Sequence, residues 1–504
     1  MAQAYLIHQG LEEFAAAREQ FSHLLRELQS DPVLGMQHGD VEVLISREGT
    51  ELLRRLLQGH LDLRSARECE REAVVGSDGV ARTRCREGCE RDLMSVFGEV
   101  QVRRRGYGVP GVSSVFPLDA ELNLPADKYS HGLRQRVAQE VAKGSFDAAV
   151  ESIERGTGGK VPKRQAETLA AEVSQDFEAF YATREATQPE ATTDPLVMSE
   201  DGKGIVMRVE GLREGTRKAA ERSRHKLKTR LSQGEKKNRK RMAMVAAVYS
   251  VAAQPRSAEA VMGLEAEEPQ STPRPRARNK RVWASVERDP GVVTEELFAE
   301  AQRRDPEQRR PWVMLVDGHK DQLKHIRACI ARYGVSVILI LDFIHVLEYL
   351  WKAAYAFCAP GTEEAEAWVQ ERALEVLKGR ASQVAGGMRR SATLRGLSAK
   401  KRLAVDDCAD YLLDYRDMLR YDAYLAQGLP IATGVIEGAC RHLVKDRMDI
   451  TGARWGLQRA EAILKLRSLQ SSNDADAYWD FYKAQALRRN HASRYETFPL
   501  QEAA

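Results

Sequence analysis

Pro311-Trp-Val-Met-Leu-Val-Asp-Gly318 is the stretch of this 504-residue chain that decides its fold. Its continuous apolar run lacks polar alternation, which predicts a strand buried on both faces of a sheet. Pro195-Leu-Val-Met-Ser-Glu-Asp-Gly202 has the same layout and also closes on Asp-Gly. A carboxylate at the end of a buried strand is costly unless a cation lies close to it. Asp201 and Asp317 are therefore candidate ligands for divalent metal ions, the alternative being that each Asp-Gly only marks a turn.

The bulk composition bounds the class of protein. With 504 residues, the chain is expected to form roughly two to four domains. A content of 43% hydrophobic and 30% charged residues is typical of a globular protein, and no apolar run is long enough to predict a membrane span. The N-terminus lacks the pattern of a signal peptide. The 7 cysteines show no disulfide rhythm, which favours a cytoplasmic location.

Apolar runs alternate with helical patterns after Pro195. The predicted elements, in chain order, are two short strands in 196–208, a strand at 242–251, a helix at 293–304, a strand at 312–316, a helix at 320–333 and a strand at 335–341. This order predicts an α/β RNase H-like core, a mixed five-stranded sheet flanked by helices. In that fold the first and fourth strands are neighbours, so Asp201 and Asp317 would approach each other at one end of the sheet.

The N-terminal region, residues 1–190, is predicted to be mainly helical with a small β-hairpin element. Ser145 is a plausible N-cap, and the pattern of helices and glycine turns over 131–184 suggests a helix-turn-helix. Two interpretations stay open for this segment. It is either a module that binds DNA or a plain helical bundle with solvated Lys163 and Arg164.

The remaining segments are assigned by composition. Prolines and few apolar residues predict a mobile insertion, and a later stretch is almost wholly helical in pattern. The predicted organisation is an RNase H-like core at 191–350 with a basic stretch at 217–241 and the mobile insertion at 254–282, then a helical insertion at 351–430, the helix of Glu437 at 431–470 and a C-terminal tail at 471–504.

Glu437 is the third candidate acid, at the predicted start of a helix. A surface helix with a salt bridge to Arg441 is the alternative. Asp342 and His345 follow another buried strand and would bind metal, orient the site, or only cap the next helix. Asp342 thus competes with Asp317 for the second acidic position. Asp317 is favoured because the fourth strand of this fold is where the second carboxylate belongs.

A dense group of cations follows the Asp201 segment. Residues 217–241 contain twelve Lys or Arg and two Glu, and a segment of this charge does not form a core. The default interpretation is a solvated helix face. The functional interpretation is that these residues bind a phosphate backbone. The candidate DNA-binding residues are Lys203, Arg217, Lys218, Lys236, Lys237, Arg239, Lys240, Arg241, Arg441, Lys445 and Arg447.

Several motifs together resemble one protein family. They are Phe97-Gly-Glu-Val, Pro117-Leu-Asp-Ala-Glu-Leu-Asn-Leu-Pro, Tyr129-Ser-His-Gly-Leu-Arg, Gly144-Ser-Phe-Asp, Asp201-Gly-Lys-Gly-Ile-Val-Met-Arg, Leu341-Asp-Phe-Ile-His-Val-Leu-Glu-Tyr-Leu-Trp and Thr433-Gly-Val-Ile-Glu-Gly-Ala-Cys-Arg-His-Leu-Val-Lys-Asp-Arg-Met. From about residue 45 to residue 470, the chain resembles ISKra-type bacterial insertion-sequence transposases.

The resemblance implies a DDE transposase with Asp201 and Glu437 as the first and third acids. In related transposase groups, the second catalytic Asp is followed later in the chain by a Cys or Asp, two further residues and a His. Asp342 and His345 match that motif. The match supports Asp317, which precedes them, as the second acid. It also implies two Mg²⁺ or Mn²⁺ ions, double-stranded DNA with terminal inverted repeats as the partner, and a homodimer or larger assembly at the bacterial nucleoid. The rival expectations are an inactive or domesticated transposase that only binds DNA, and an RNase H-like nuclease or resolvase.

Overall fold

The structure, a computed structural model, describes residues 12–184, 192–222, 239–264 and 275–498. It divides into two compact units. The first comprises Met1–Ala182 and Asn473–Ala504, and the second comprises Thr183–Ser472. Across the described residues, no helix has the length and apolar character needed to cross a membrane.

The first unit is mostly helical around small sheets. Its strands are β1 (Val74–Val75), β2 (Ala81–Arg82), β3 (Arg84–Ser95), β4 (Gly98–Val109) and β5 (Val112–Val115). β1 pairs with β2, and β3, β4 and β5 form an antiparallel sheet. Its helices are Ala15–Leu28, Asp31–Leu34, His38–Ala66, Pro117–Glu121, His131–Lys143, Phe146–Gly156, Lys163–Val173, Phe177–Thr183 and Ala475–Asn490.

The segment predicted as a helix-turn-helix forms four consecutive helices with a shared apolar core. Ser145 caps the second of them, because its side chain accepts a hydrogen bond from the Ala148 N–H. The described part of the predicted C-terminal tail folds onto this unit. The Tyr478 hydroxyl donates to the Val173 carbonyl, and Arg489 binds both carboxylate oxygens of Asp176 at 3.0 and 3.1 Å.

The second unit contains a mixed five-stranded sheet, as the sequence predicted. Its strands are β6 (Leu196–Met207), β7 (Arg239–Ser250), β8 (Arg278–Ser285), β9 (Trp312–Val316) and β10 (Val337–Leu341). The order across the sheet is β10-β9-β6-β7-β8. β6, β7 and β8 pair antiparallel, whereas β9 and β10 run parallel to β6.

Two strand predictions were wrong. Residues 196–207 form one 12-residue strand rather than two short ones, because Gly202 and Gly204 stay in register with β7 instead of turning. The third strand is β8, which lies partly inside the segment 254–282 predicted to be mobile. Its N-terminal half is charged, and this hid the buried run that begins at Val282.

Helices cover both faces of this sheet and form the predicted helical insertion. The helices of the second unit are Glu214–Arg222, Ala258–Val261, Pro290–Arg304, Lys320–Tyr333, Phe343–Ala354, Glu363–Leu377, Ala381–Leu394, Ala399–Asp414, Tyr421–Ala426, Gly434–Ala439, Asp446–Met448 and Leu457–Ser471. Successive side chains of a strand point to opposite faces. On β6, Glu200 contacts Thr294 on one face, and Asp201 contacts Cys440 on the other.

Candidate functional site

Three acidic residues lie at or just beyond the last paired residues of three neighbouring parallel strands. β6 pairs with β9 up to Ser199 opposite Leu315, and β10 pairs with β9 up to Leu341 opposite Val316. If these registers are extended, by two residues for β6 and by one for β10, Asp201 and Asp342 fall level with Asp317. The Asp342 N–H donates to the Val316 carbonyl at 2.7 Å, which extends the ladder to that residue. This row of acids, Asp201, Asp317 and Asp342, is hereafter called the acidic row.

Asp201 lies inside β6 rather than at its end, contrary to the prediction. The pairing of β6 with β9 ends at Ser199, while β6 continues along β7 with Asp201 opposite Val245. β6 therefore leaves β9 two residues before Asp201. Its Oδ1 accepts the Gly202 N–H at 2.6 Å, and Cys440 Sγ lies 3.3 Å from its Oδ2. Burial raises the pKa of the Cys440 thiol, so this residue faces Asp201 as a neutral donor.

Asp317 is partly exposed directly after β9, and tyrosines of the helical insertion hold its backbone. Its Oδ1 accepts the His319 N–H at 2.8 Å. The Tyr411 hydroxyl donates to the Asp317 carbonyl at 2.9 Å, and the Tyr415 hydroxyl donates to the Gly318 carbonyl at 2.5 Å. Gly318 has φ +90°, a conformation that favours glycine. The exit of the chain from β9 is therefore fixed by its own turn and by the insertion.

A tyrosine of the insertion also binds the end of β10. The Tyr421 hydroxyl donates to the Leu341 carbonyl at 2.7 Å from a fully buried position. Sequence reasoning did not single out the tyrosines at 411, 415 and 421. The available signal was the spacing of two of them, four residues apart on a helix and thus on one face.

Glu437 lies in the helix Gly434–Ala439 with its side chain exposed. Partial burial raises the pKa of its carboxyl group, and the negative charges of Asp342 and Asp201 raise it further, whereas His345 opposes them. Glu437 is therefore electrostatically coupled to the acidic row. The alternative of a salt bridge from Glu437 to Arg441 is not formed, because Arg441 pairs with Asp446 at 3.8 Å.

Asp342 is fully buried and joins two helices. Its Oδ1 accepts the Ile344 N–H at 3.0 Å, which caps the helix Phe343–Ala354, and its Oδ2 accepts a hydrogen bond from the Thr433 hydroxyl. Burial raises the pKa of its carboxyl group, and the bonds from Thr433 and Ile344 oppose that shift. Thr433 is the residue directly before the Glu437 helix. Asp342 thus caps the helix that follows it, as one of the predicted alternatives stated, and also binds the residue before the Glu437 helix.

His345 lies in the first turn of the helix Phe343–Ala354, between two carboxylates. Its Nε2 is 4.0 Å from Asp342 Oδ2, and its Nδ1 is 3.7 Å from Glu348 Oε2. The ring is about one-third exposed, at 37%. Both separations are longer than a hydrogen bond.

Glu200 is a buried acid that sequence reasoning missed. Its pKa is raised to about 8, chiefly by burial, although bonds from Thr294 and Gln322 oppose the shift. The charge of Asp317 also raises it. The signal in the sequence was the alternation of side chains along a strand. Glu200 directly precedes Asp201, so it points to the opposite face of the sheet, which helices cover.

Two of the predicted cations are structural. Arg241 donates to the carbonyls of Gly211, Val286 and Glu287 at 3.2, 2.6 and 2.9 Å, so that its guanidinium group ties loops together. Arg447 is 2% exposed and lies over the Trp455 ring at 5.0 Å, and burial lowers its pKa to about 10. Neither is an exposed contact for a phosphate.

The remaining cations differ in their surroundings. Lys203 lies on β6 two residues after Asp201 and therefore on the same face. Arg217 and Lys218 are exposed on the helix Glu214–Arg222 and pair with acids of that helix. Lys445 is exposed after the Glu437 helix. Lys236 and Lys237 lie outside the described residues.

Arginines surround a cavity at the far end of the β6–β7 hairpin. The cavity has a volume of about 730 Å³ and is lined by Arg208, Arg239 and Arg454 together with Glu210 and Leu212. Arg239 and Lys240 belong to the first residues of β7, opposite Met207 and Val206. The hairpin thus carries acids at its middle and cations at its end.

The acidic row and Glu437 fit a hard cation by their chemistry. Carboxylate oxygens are the ligands that Mg²⁺ and Mn²⁺ prefer, and the neighbouring thiol of Cys440 stays protonated. The pKa of Glu437 is raised chiefly by burial, and the negative charges of Asp342, Glu348 and Asp201 add a smaller contribution that a bound cation would relieve. Among the described residues, only His23, Glu27 and Glu48 have ligand atoms all within 4.8 Å of one another. Asp201, Asp317 and Glu437 are spread more widely than this.

No known protein family matches the chain, and no curated protein is similar to it.

Proposed function

We propose that this protein is a DNA transposase of an insertion sequence, which binds terminal inverted repeats and catalyses metal-dependent strand cleavage and strand transfer. The observation that carries the proposal is the parallel register, whose extension past the last paired residues brings Asp201 level with Asp317 and Asp342. Carboxylates gathered at the ends of neighbouring buried strands are costly unless divalent cations bind there. The sequence motifs that resemble ISKra-type transposases support the same function.

The sheet topology supports an RNase H-like core. Three antiparallel strands followed by two strands parallel to the first, in the order β10-β9-β6-β7-β8, agree with that fold. In it, the first and fourth strands lie side by side, as β6 and β9 do. A helical insertion lies before the helix of the last acid.

Different roles follow from the different surroundings of the acids. Asp201, Asp317 and Glu437 would hold two Mg²⁺ or Mn²⁺ ions, since each of them is at least partly exposed. Bound there, such ions would activate a water or a 3′-hydroxyl and stabilise the leaving oxygen. Asp342 is the positioning residue, because it is fully buried and its oxygens bind the starts of the helices Phe343–Ala354 and Gly434–Ala439. His345 would keep the Glu437 side of the site oriented.

Double-stranded DNA is the proposed partner. Lys203 lies on the same face of β6 as Asp201, and the arginine-lined cavity lies further along the same hairpin. Cations in such a line would contact successive phosphates and position the DNA without reading its sequence. Action at a bacterial nucleoid as a homodimer or larger assembly is part of the proposal.

The test is cleavage and joining of DNA that carries the element's own ends, in Mg²⁺ or Mn²⁺. We expect Asp201→Asn, Asp317→Asn and Glu437→Gln to bind these ends but to lose cleavage by at least about 100-fold. Asp342→Asn should retain partial activity. Asp321→Asn is the matched control, because it removes an exposed carboxylate four residues after Asp317 and should stay active.

Other outcomes identify the rivals. Specific end binding without cleavage by the unaltered protein would favour a DNA-binding protein derived from a transposase. Cleavage of branched DNA without joining would favour a nuclease or resolvase. An active Asp317→Asn protein together with an inactive Asp342→Asn protein would reverse the roles proposed for these two residues.

A further inference from the structure

The helices Ala15–Leu28 and His38–Ala66 of the first unit pack against each other. Gln20 is only 5% exposed, and its Nε2 donates to Glu48 Oε2 on the long helix at 2.9 Å. Leu24, one turn after Gln20, is also buried. The side of the short helix that carries these two residues therefore faces the long helix.

Two carboxylates meet between these helices. On the short helix, Glu27 lies two turns after Gln20 and therefore on the same side. On the long helix, Glu48 lies one turn after the buried Leu44. The side chains of Glu27 and Glu48 are 29% and 18% exposed. Two negative charges held together in a partly buried position repel each other unless a cation lies between them.

His23 completes a set of three metal-binding groups. Its Nε2 is 3.7 Å from Oε2 of Glu27, which lies one turn further along the same helix. Ligand atoms of His23, Glu27 and Glu48 all lie within 4.8 Å of one another. The His23 side chain is 57% exposed, so this side of the set is open to ions from the solvent.

The hydrogen bonds of the two carboxylates point to a bound cation. Glu27 Oε2 is buried, yet it accepts no hydrogen bond from any residue that the structure describes. A buried carboxylate oxygen without a donor is costly. Glu48 is instead held in place, because Gln20 donates to its Oε2 and Arg47 Nε donates to its Oε1 at 2.8 Å. Such bonds orient a metal-binding carboxylate and leave lone pairs free for the ion.

The residue types favour Zn²⁺ over Mg²⁺. One imidazole nitrogen and two carboxylate oxygens suit Zn²⁺, whereas Mg²⁺ prefers oxygen ligands alone. At Zn–N and Zn–O distances of about 2.0–2.2 Å, neighbouring ligand atoms are about 3.0–3.5 Å apart. The 3.7 Å between His23 Nε2 and Glu27 Oε2 is close to that separation. Side-chain movement of about 1 Å would bring all three ligand atoms onto one ion.

A second His–Glu pair on the long helix provides a comparison. His38 Nδ1 is 3.8 Å from Glu42 Oε1, again with one helical turn between the residues. Both side chains are exposed, and within the described part of the chain this pair belongs to no set of three metal-binding groups. A pair with this spacing is by itself an ordinary feature of a helix surface. The carboxylate that the other helix contributes is what distinguishes the site at His23.

We infer that His23, Glu27 and Glu48 bind one Zn²⁺ ion, which joins the helices Ala15–Leu28 and His38–Ala66. Two ligands come from the short helix and one from the long helix, so the ion cross-links them. Water would complete the coordination of an ion with three protein ligands. This inference is independent of the proposed function, because the acidic row lies in the second unit and takes no part in it.

The test is protection of His23 from carbethoxylation by diethyl pyrocarbonate, located by mass spectrometry in the full chain. The protein is first freed of metal with EDTA, and about 100 µM Zn²⁺ is added in the presence of about 5 mM Mg²⁺. We expect Zn²⁺ to slow the modification of His23 about tenfold, since a site with a Kd of about 10 µM is then about 90% occupied. His38 is the matched internal control, and its modification should change less than about twofold.

Variants at the carboxylates identify the ligands. Glu48→Gln should abolish the protection of His23 and lower the Zn²⁺ bound in equilibrium dialysis by about one ion per chain, whereas Glu42→Gln should change neither. Glu27→Gln tests the same expectation if the Glu48 variant does not fold. Gln20→Leu keeps all three ligands and should weaken Zn²⁺ binding about 10- to 100-fold, because Glu48 loses a bond that orients it.

Three results would overturn the inference. The first is a wild-type chain whose His23 stays unprotected at about 100 µM Zn²⁺. The second is equal protection of His23 and His38, which would reduce the site to an ordinary His–Glu pair. The third is protection of His23 that persists in folded Glu48→Gln and Glu27→Gln chains. Circular dichroism checks that each variant keeps its helices.

Discussion

Glu200 provides the sharpest test of the electrostatics next to the acidic row. It is 4% exposed, and Thr294 Oγ1 lies 3.1 Å from both of its carboxylate oxygens. The same hydroxyl lies 3.0 Å from the Pro290 carbonyl. The hydroxyl has one hydrogen, which it can donate to the Pro290 carbonyl, so its oxygen can accept a hydrogen bond from a neutral Glu200. A carboxylic acid satisfies this network better than a carboxylate does.

The pKa of Glu200 gives the size and sign of the effect. Its value rises from 4.5 to about 8 on folding. The folded protein therefore keeps a proton that the unfolded chain loses, and the stability from this group is fully present below pH 4.5. It is lost as the pH rises, by about 1.36 kcal/mol per pH unit until the folded pKa of about 8 is reached. Between pH 5.5 and 7.5 the loss from Glu200 is about 2.7 kcal/mol.

Glu200→Gln should remove this loss. The amide has nearly the same shape as the neutral acid and also donates a hydrogen bond, so it fits the site without a cavity. The free energy of unfolding of the second unit would be measured by urea denaturation at several pH values. We expect the difference between Glu200→Gln and wild type to grow by about 2–3 kcal/mol in favour of the variant from pH 5.5 to 7.5.

The control is a second Glu→Gln variant whose free energy of unfolding is measured over the same pH range. Glu371→Gln removes a carboxylate that is 75% exposed, so its difference from wild type should not change with pH. If the Glu200→Gln difference is also constant between pH 5.5 and 7.5, Glu200 is ionised in the folded protein. The argument from the Thr294 hydrogen bonds would then be wrong.

Three further predictions concern groups that hold the site in place. Tyr411→Phe with Tyr415→Phe removes the two hydroxyl groups that donate hydrogen bonds to the carbonyls after β9. We expect the double variant to destabilise the second unit by about 1–3 kcal/mol, measured by denaturation, and to lower single-turnover DNA cleavage about 10- to 100-fold. Thr433→Val should lower cleavage while Thr433→Ser preserves it, because only the serine keeps the hydroxyl that binds Asp342; equal loss in both would contradict this role. Arg241→Met should lower the melting temperature but leave the salt dependence of DNA binding unchanged, since its guanidinium group binds backbone carbonyls.

The strand that was predicted most accurately from the sequence is buried on both of its faces. β9 and the helix after it were predicted to the residue, because a strand covered on both faces reads as one apolar run. The segment around Glu437 was predicted to start a helix, and a helix begins at Gly434, but the predicted single helix at 431–470 ends at Met448 and a separate helix forms at Leu457–Ser471. A mixed five-stranded sheet was predicted from the alternation of strands and helices and is present.

The sequence-based prediction was wrong where one strand pairs with two neighbours over different lengths. Asp201 was predicted at a strand end because the apolar run before it stops. That run covers only the part of β6 that pairs with β9. The continuation along β7 depends on a partner 44 residues away, to which local patterns are blind. β8 was missed for a related reason, since its buried half follows a charged, proline-rich stretch. The tyrosine contacts to β9 and β10 depend on the tertiary fold, and the spacing of Tyr411 and Tyr415 does not say which carbonyls they bind.

The tyrosines that reach the ends of β9 and β10 also set limits for engineering the helical insertion. Its stem donates the hydrogen bonds that the carbonyls of Asp317, Gly318 and Leu341 accept. Its tip, between the helices Ala381–Leu394 and Ala399–Asp414, carries exposed leucines and takes no part in those bonds. A fluorescent reporter or an affinity tag belongs in residues 395–398. A variant shortened through the stem would instead release the strand ends on which two of the acids depend.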